Sequence, residues 1–216
     1  MKRCLILTGG SVDDSAVSDF LIKYSYDLII AVDGGLTAAQ RLQLKPDYCV
    51  GDFDSVSQES LEYFRKIPGI GWETHPPEKD ETDTELSIHL ALGLGAESIH
   101  IFGATGTRMD HTLASIGLLQ IPLEAGVSCW LVDGHNRITM IDSAMTLKRL
   151  EAFGTYVSLI PFTESVSGVT LEGFKYPLRD YTFVQGNSLG VSNEIVREEA
   201  VITIGKGRML LIESRD

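Results

Sequence analysis

Basic side chains are in short supply in this chain. Its 216 residues carry 18 lysines and arginines against 30 aspartates and glutamates, a formal net charge of −12. With no basic stripe to displace counterions from phosphates, no nucleic-acid partner is expected. The same balance favours metal cations or a cationic substrate. Cysteine is scarce too: Cys4, Cys49 and Cys129 are odd in number, widely spaced and set in apolar runs. That argues against a disulfide framework or a zinc cluster and for reduced, buried thiols in a cytoplasmic protein. Long hydrophobic runs are missing. Cys4-Leu5-Ile6-Leu7 stops at Thr8-Gly9-Gly10, too short for a signal peptide, and no stretch approaches transmembrane length, so no membrane partner is expected. What is present, 44% hydrophobic and 22% charged residues, is the composition of a folded globule with one large core or two modest ones.

The first part of the chain alternates strand-like and helix-like segments. Apolar runs at Cys4–Leu7, Leu28–Val32, Tyr48–Val50, Ile70–Thr74, Ser98–Phe102 and Val127–Val132 read as strands. Between them, Val12–Tyr24, Leu36–Leu42, Ser57–Lys66, Asp83 to about Leu94 and Met109–Gln120 read as helices. Near-continuous apolar strands separated by helices imply a Rossmann-like, mostly parallel sheet with helices on both faces. After Gly134-His135-Asn136 the texture changes to short runs punctuated by glycine, at 137–141, 155–160, 181–184, 201–204 and 209–212. This reads as an antiparallel β-sandwich. The expected fold is therefore α/β over 1–134 followed by a β unit over 135–216. Trp72 and Trp130 read as core.

In a parallel sheet, ligands bind beyond the carboxyl ends of the strands. Acidic residues stand just past those ends: Asp33, then Asp52 and Asp54, then Asp80 and Asp83, then Asp110. Any one of them reads as a turn or cap residue. Ser55-Val56-Ser57-Gln58 has capping-box spacing, with Asp54 or Ser55 as the candidate cap, and Thr82-x-x-Glu85 is a second such box opening a helix at Asp83. Taken together, six carboxylates at one edge would repel one another without cations, and an oxygen-rich cluster suits Mg²⁺. An extended backbone would put Asp52 and Asp54 on one side and Phe53 on the other. Lys79 and Arg108, interleaved with the acids, suit phosphate oxygens. Gly103-Ala104-Thr105-Gly106-Thr107-Arg108-Met109-Asp110-His111 leads into a helix and could present N–H groups to an anion, yet it is neither a Walker A loop nor a dinucleotide fingerprint. His111 reads as a structural hydrogen-bonding group beside Asp110 rather than a base. His75, His89, His100 and His135 are dispersed, without metal-ligand spacing.

Assembled in this order, Asp33-Gly34-Gly35, Gly51-Asp52-Phe53-Asp54-Ser55, Lys79-Asp80-x-Thr82-Asp83 and the Gly103–His111 loop resemble the N-terminal motifs of the thiamin pyrophosphokinase family. Ser192-Asn193-Glu194 is similar to its C-terminal substrate motif. The resemblance covers nearly the whole chain. It implies an ATP- and Mg²⁺-binding α/β domain, a thiamin-binding β-sandwich, and a homodimer with active sites at the subunit interface. By resemblance Asp52, Asp54 and Asp83 are metal ligands, with Asp33, Gly34, Gly35 and Asp80 near the metal or substrate. Lys79 and Arg108 hold phosphates together with the loop at Thr105 and Gly106. Asp110 lies near the nucleotide or the attacking hydroxyl, and Ser192 and Asn193 contact the aminopyrimidine. Two positions depart from the family: Thr107 stands in a usual Gly-Gly-Arg, and no tryptophan comes after Ser192-Asn193.

The implied reaction is an in-line attack by the hydroxyethyl oxygen of thiamin on the β-phosphorus of ATP, releasing AMP, with Asp110 or Asp33 as the candidate proton acceptor. Two alternatives remain open at this point. One is a pyrophosphokinase of the same fold for another small alcohol such as a hydroxymethylpterin. The other is a non-catalytic binder of nucleotide or thiamin diphosphate.

Overall fold

Six apolar runs become the strands of a parallel sheet: β1 (Arg3–Leu7), β2 (Leu28–Val32), β3 (Tyr48–Gly51), β4 (Gly71–Thr74), β5 (Ser98–Phe102) and β6 (Ser128–Val132), in the spatial order β4-β3-β2-β1-β5-β6. The structure, a computed structural model, describes residues 1–54, 56–75 and 80–216. Successive side chains of a strand point to opposite faces, and Cys4, Leu5, Ile6 and Leu7 are all fully buried. Both faces of the central strand are therefore covered, and each such aliphatic side chain contributes about 1.5–3 kcal/mol. The cover consists of α1 (Asp14–Lys23), α2 (Gly35–Arg41), α3 (Gln58–Arg65), α4 (Asp83–Gly93), α5 (Met109–Leu118) and α6 (Gln120–Glu124).

Local chemistry sets where the helices begin. Asp13 caps α1 by accepting the N–H groups of Ser15 and Ala16 at 2.9 and 3.1 Å. One face of α1 then buries Ala16, Val17 and Phe20, and the Phe20 ring meets Phe102 edge-on at 5.3 Å. Thr82 caps α4 through the N–H of Glu85 at 3.2 Å, as its capping-box spacing implies. The cap of α3 differs from expectation. It is Ser57, whose hydroxyl accepts from the N–H of Ser60 at 3.2 Å, and not Asp54; Ser55 lies outside the described residues. Trp130 is buried as expected, but Trp72 is only half covered: Phe53 packs on it, and the Arg65 guanidinium lies 5.9 Å from its ring.

The chain divides into two compact units, Met1–Gly134 and His135–Asp216. The second contains β7 (Asn136–Ile141), β8 (Met145–Lys148), β9 (Tyr156–Pro161), β10 (Ser165–Glu172), β11 (Leu178–Val184), β12 (Glu199–Thr203) and β13 (Met209–Ser214). They form antiparallel sheets ordered β7-β13-β9 and β11-β10-β12-β8. Strands β8 and β10 were not legible as apolar runs. In β10 the alternation slips at Gly168 (φ +68°), where the pairing with β11 shifts register between Val166 and Val169, a β-bulge. This unit also buries a charge pair. Glu213, with no exposed surface, accepts from Arg137 Nε at 2.7 Å and from the N–H of Phe153 at 3.0 Å.

Candidate active site

The rim at the carboxyl ends of β2 and β3 is built from unusual backbone. Asp33, directly after β2, has φ +43°, Gly51, the last residue of β3, has φ +139°, and Phe53 has φ +64°. A left-handed phenylalanine costs about 1–2 kcal/mol. Two contacts offset it. The Phe53 ring is buried edge-on against Trp72 at 5.3 Å, and its N–H donates to Asp33 Oδ1 at 3.1 Å. Gly51 is required by closeness as well as by φ, because a Cβ there would lie 1.9 Å from Asp33 Oδ1. The segment is thus a turn, not the extended strand that its alternation suggested. Asp52 and Asp54 are related by a hydrogen bond from the N–H of Asp54 to Asp52 Oδ1, at 3.0 Å. Asp52 is half-buried and Asp54 is exposed.

Asp83, the first residue of α4, comes to the same place. Its carboxyl approaches that of Asp33 closely enough to favour a proton on Asp33. Burial above all, together with the nearby Asp83 and Asp52 carboxylates, pushes the Asp33 carboxyl up to about 7 against the opposing Phe53 N–H. Asp33, Asp52 and Asp83 therefore form the electrostatic centre of the rim. Asp52, Asp54 and Asp83 do not gather their ligand oxygens within 4.8 Å of one another; among the described residues only Glu81, Glu85 and His89 do so. Glu81 lies just before the Thr82 cap of α4, and Glu85 and His89 follow on the helix, so the intervals of four join a histidine to two glutamates rather than to another histidine.

At the crossover between β1 and β5 the strand order reverses, which is where such sheets open a crevice. Here the loops after the two strands are tied together: the Gly10 N–H donates to Gly103 O at 2.9 Å and the Ser11 N–H to Thr105 O at 3.1 Å. The Thr105 hydroxyl in turn donates to Asp133 Oδ2 at 2.9 Å. Asp133 was missed. It comes directly after β6, as Asp33 comes after β2, so the rule that found the other acids covers it too. Thr107 does not take a positive φ, so the absent glycine brings no backbone strain.

Arg108 precedes α5, and its guanidinium makes a two-pronged pair with Asp110, Nε–Oδ1 3.2 Å and Nη2–Oδ2 2.6 Å. Both side chains are exposed. Arg108, aided by the His111 N–H, holds the Asp110 carboxyl down at about 2. It is the backbone of His111 that bonds Asp110, at 3.0 Å, and the His111 side chain is exposed. Asp80 is exposed, Gly34 precedes α2, and Gly35 opens that helix from a buried position. Lys79 lies outside the described residues.

In the second unit, Ser192 takes a left-handed φ of +59° and donates its N–H to the Ser158 hydroxyl at 3.0 Å. Asn193, 7% exposed, faces inward. Its Nδ2 donates to Tyr176 O at 2.8 Å, while its Oδ1 accepts the N–H groups of Tyr176 at 3.0 Å and Glu194 at 2.9 Å. Ser192 presents an exposed surface, whereas Asn193 is engaged with the protein itself.

An open parallel sheet whose carboxyl ends carry converging acids, followed by an antiparallel β unit, is the layout of a two-unit α/β enzyme. Comparison with known proteins narrows the class. Residues 21–131 match the family described as thiamin pyrophosphokinase, catalytic domain, and residues 144–209 the one described as thiamin pyrophosphokinase, vitamin B1 binding domain. The chain is 33% identical over 219 residues to thiamine pyrophosphokinase of Bacillus subtilis (strain 168), covering 100% of both. Crystal structures of thiamine pyrophosphokinase from Bacillus subtilis (TM-score 0.90, 31% identity, 100% of both chains) and of thiamin pyrophosphokinase from Geobacillus thermodenitrificans (TM-score 0.86, 30% identity, 99% and 98% covered) share its architecture. Yeast thiamin pyrophosphokinase, 17% identical with a TM-score of 0.80, shares the fold. The chain belongs to the thiamin pyrophosphokinase family.

Proposed function

We propose that this chain transfers the pyrophosphoryl group of ATP to the hydroxyethyl oxygen of thiamin, giving thiamin diphosphate and AMP. Beyond family membership, the observation that carries the reading is the crowding of Asp33, Asp52 and Asp83, where one carboxyl is driven to hold a proton near neutral pH. Such crowding fits a divalent cation, which would remove the repulsion that now favours the proton. Asp52, Asp54 and Asp83 would hold Mg²⁺, with Asp33 and Asp80 beside it. Bound there, the ion would neutralise triphosphate oxygens.

The chain's own residues supply positioning. Lys79 and Arg108 would hold phosphates beside Thr105 and Gly106, with Arg108 exchanging the Asp110 carboxylate for a phosphate that offers the same fork-like pair of oxygens. The hydroxyethyl oxygen bonds to the β-phosphorus as the bond to the α–β bridging oxygen breaks, AMP leaves with that oxygen, and the hydroxyl proton passes to a carboxylate of the rim. Once Arg108 turns to a phosphate, Asp110 is released from the pair that holds it near 2 and joins Asp33 as a candidate acceptor for that proton. Orientation and charge neutralisation then carry most of the rate.

A homodimer with active sites at the subunit interface belongs to the same proposal. Met109 and Leu113, 61% and 62% exposed, lie one turn apart on α5 beside Arg108 and Asp110, and form an apolar face suited to a second copy. A cytoplasmic location is proposed on the three buried cysteines, which are thiols rather than disulfides. The described helices include none long and apolar enough to cross a membrane. Incubation with ATP, Mg²⁺ and thiamin tests the function: AMP and thiamin diphosphate should appear together. AMP formed only with a hydroxymethylpterin, or nucleotide binding without AMP, would contradict it.

A further inference from the structure

Phe53 separates Asp52 from Asp54, and its backbone decides how the two acids stand to each other. With φ at +64° the chain turns back on itself there, and the Asp54 N–H reaches Asp52 Oδ1 at 3.0 Å. An extended φ at this position would open the turn and break that bond. A left-handed conformation is unfavourable for a residue with a Cβ, so something must hold it. The side chain does so. The Phe53 ring is 8% exposed and meets the Trp72 ring edge-on, with centroids 5.3 Å apart and 69° between the planes. Rotating φ back to the ordinary region would turn the Cα–Cβ bond relative to the preceding chain and draw the ring out of that contact.

Trp72 is itself well anchored. It stands on β4 opposite Cys49 of β3, so the sheet fixes its backbone, and the Arg65 guanidinium at the end of α3 lies 5.9 Å from its ring. The chain that leaves the acidic turn through α3 therefore comes back along β4 to brace that turn. Trp72 is only half buried, so its ring can be cut back without hollowing the main core. The other tryptophan, Trp130, is on β6, with β3, β2, β1 and β5 between its strand and β4.

We propose that Trp72 is the positioning residue of the acidic turn. By packing on Phe53 it holds Asp52 and Asp54 on one tight turn, so that a divalent cation need only draw in their side chains, and it thereby sets the affinity of the rim for the ion. The proposal rests on the reading of Asp52 and Asp54 as ligands of Mg²⁺. Ligands whose backbone is arranged in advance lose little binding energy to being arranged. Once the brace is gone, the ion has to bend the turn as well as bind to it.

Mn²⁺ is the probe, because the electron paramagnetic resonance signal of the free ion gives a dissociation constant without turnover. The full chain and its variants are titrated with Mn²⁺, and the Mg²⁺ dependence of AMP formation is followed with ATP and thiamin. Trp72→Ala should weaken Mn²⁺ binding about tenfold and raise the Mg²⁺ concentration for half-maximal rate by a similar factor. Its thiamin KM at saturating Mg²⁺ should stay within about twofold, and excess Mg²⁺ should restore most of its kcat, which a general loss of fold would not allow. Trp72→Phe keeps an aromatic edge against Phe53 and should hold both metal constants within about twofold. Mg²⁺ should change the tryptophan emission of wild type and not that of Trp72→Phe. Should Trp72→Ala fail to fold, Trp72→Leu takes its place, keeping apolar bulk without the ring. A folded Trp72→Ala or Trp72→Leu chain with wild-type Mn²⁺ affinity would overturn the proposal. Mn²⁺ binding that Asp52→Asn leaves intact would overturn it together with the placement of the ion at the rim. A wild type that binds Mn²⁺ there and forms no AMP would instead contradict the proposed function.

Discussion

The carboxyl of Asp83, at the first position of α4, stands beside that of Asp33, just beyond β2, and raises its affinity for a proton. Two acids this close repel each other when both are ionised. The cation proposed for the rim would relieve that repulsion in place of the proton.

The pH dependence of the metal-free protein is set by this pair. The folded Asp33 carboxyl is raised to about 7, above its unfolded value. A raised group contributes stability that is complete below the ordinary carboxylate range and is lost as pH rises through about 7. Metal-free protein should therefore lose stability between pH 5 and pH 8, by about 1 kcal/mol once the solvent screening of a half-exposed group is allowed for. Asp33→Asn should flatten that slope and millimolar Mg²⁺ should restore stability at pH 8. Urea unfolding at the two pH values checks it. An unchanged slope in Asp33→Asn would contradict the assignment.

Gly51 is predicted to tolerate no side chain. Gly51→Ala sets a methyl against the Asp33 carboxylate at a φ of +139° and should destabilise the fold by about 2 kcal/mol or more. Asp33→Ala in the same chain should recover part of that loss. Equal stability of the single and double variants in chemical denaturation would show that the contact is not responsible.

Asp54 is exposed, so Asp54→Asn should change stability by less than about 0.5 kcal/mol. Turnover should nonetheless fall by at least about 100-fold if Asp54 turns inward to an ion, and the Mg²⁺ concentration for half-maximal rate should rise. Near-wild-type kinetics would remove Asp54 from the ligand set.

In the second unit, Glu213→Ala removes the buried carboxylate that pairs with Arg137 and accepts the Phe153 N–H, and should cost about 3–5 kcal/mol. Replacing the pair together, as Arg137→Met with Glu213→Leu, should cost much less. Thermal unfolding of the three variants decides it.

The parallel half of the fold was legible because its strands are apolar on both faces and its helices carry their caps in sequence, as Thr82 and Glu85 show. The acids of the rim were legible because each stands just past a strand. What could not be read was geometry made by turns. Phe53 takes a positive φ that only the buried contact with Trp72 and the bond to Asp33 make tolerable, and neither partner is near it in sequence. The bulge at Gly168 hid β10 in the same way, by breaking the alternation that marks a strand. The bonds that Asn193 makes to the backbone of Tyr176 and Glu194 are likewise not announced by the sequence.

Phosphorus NMR of the full chain with ATP, thiamin and Mg²⁺ tests the central claim most directly, because it reads which phosphorus is attacked. Attack at the β-position gives AMP and thiamin diphosphate in equal amounts, with the β- and γ-phosphates of ATP leaving together. ADP with thiamin monophosphate, or a nucleotide pool left unchanged, would contradict it.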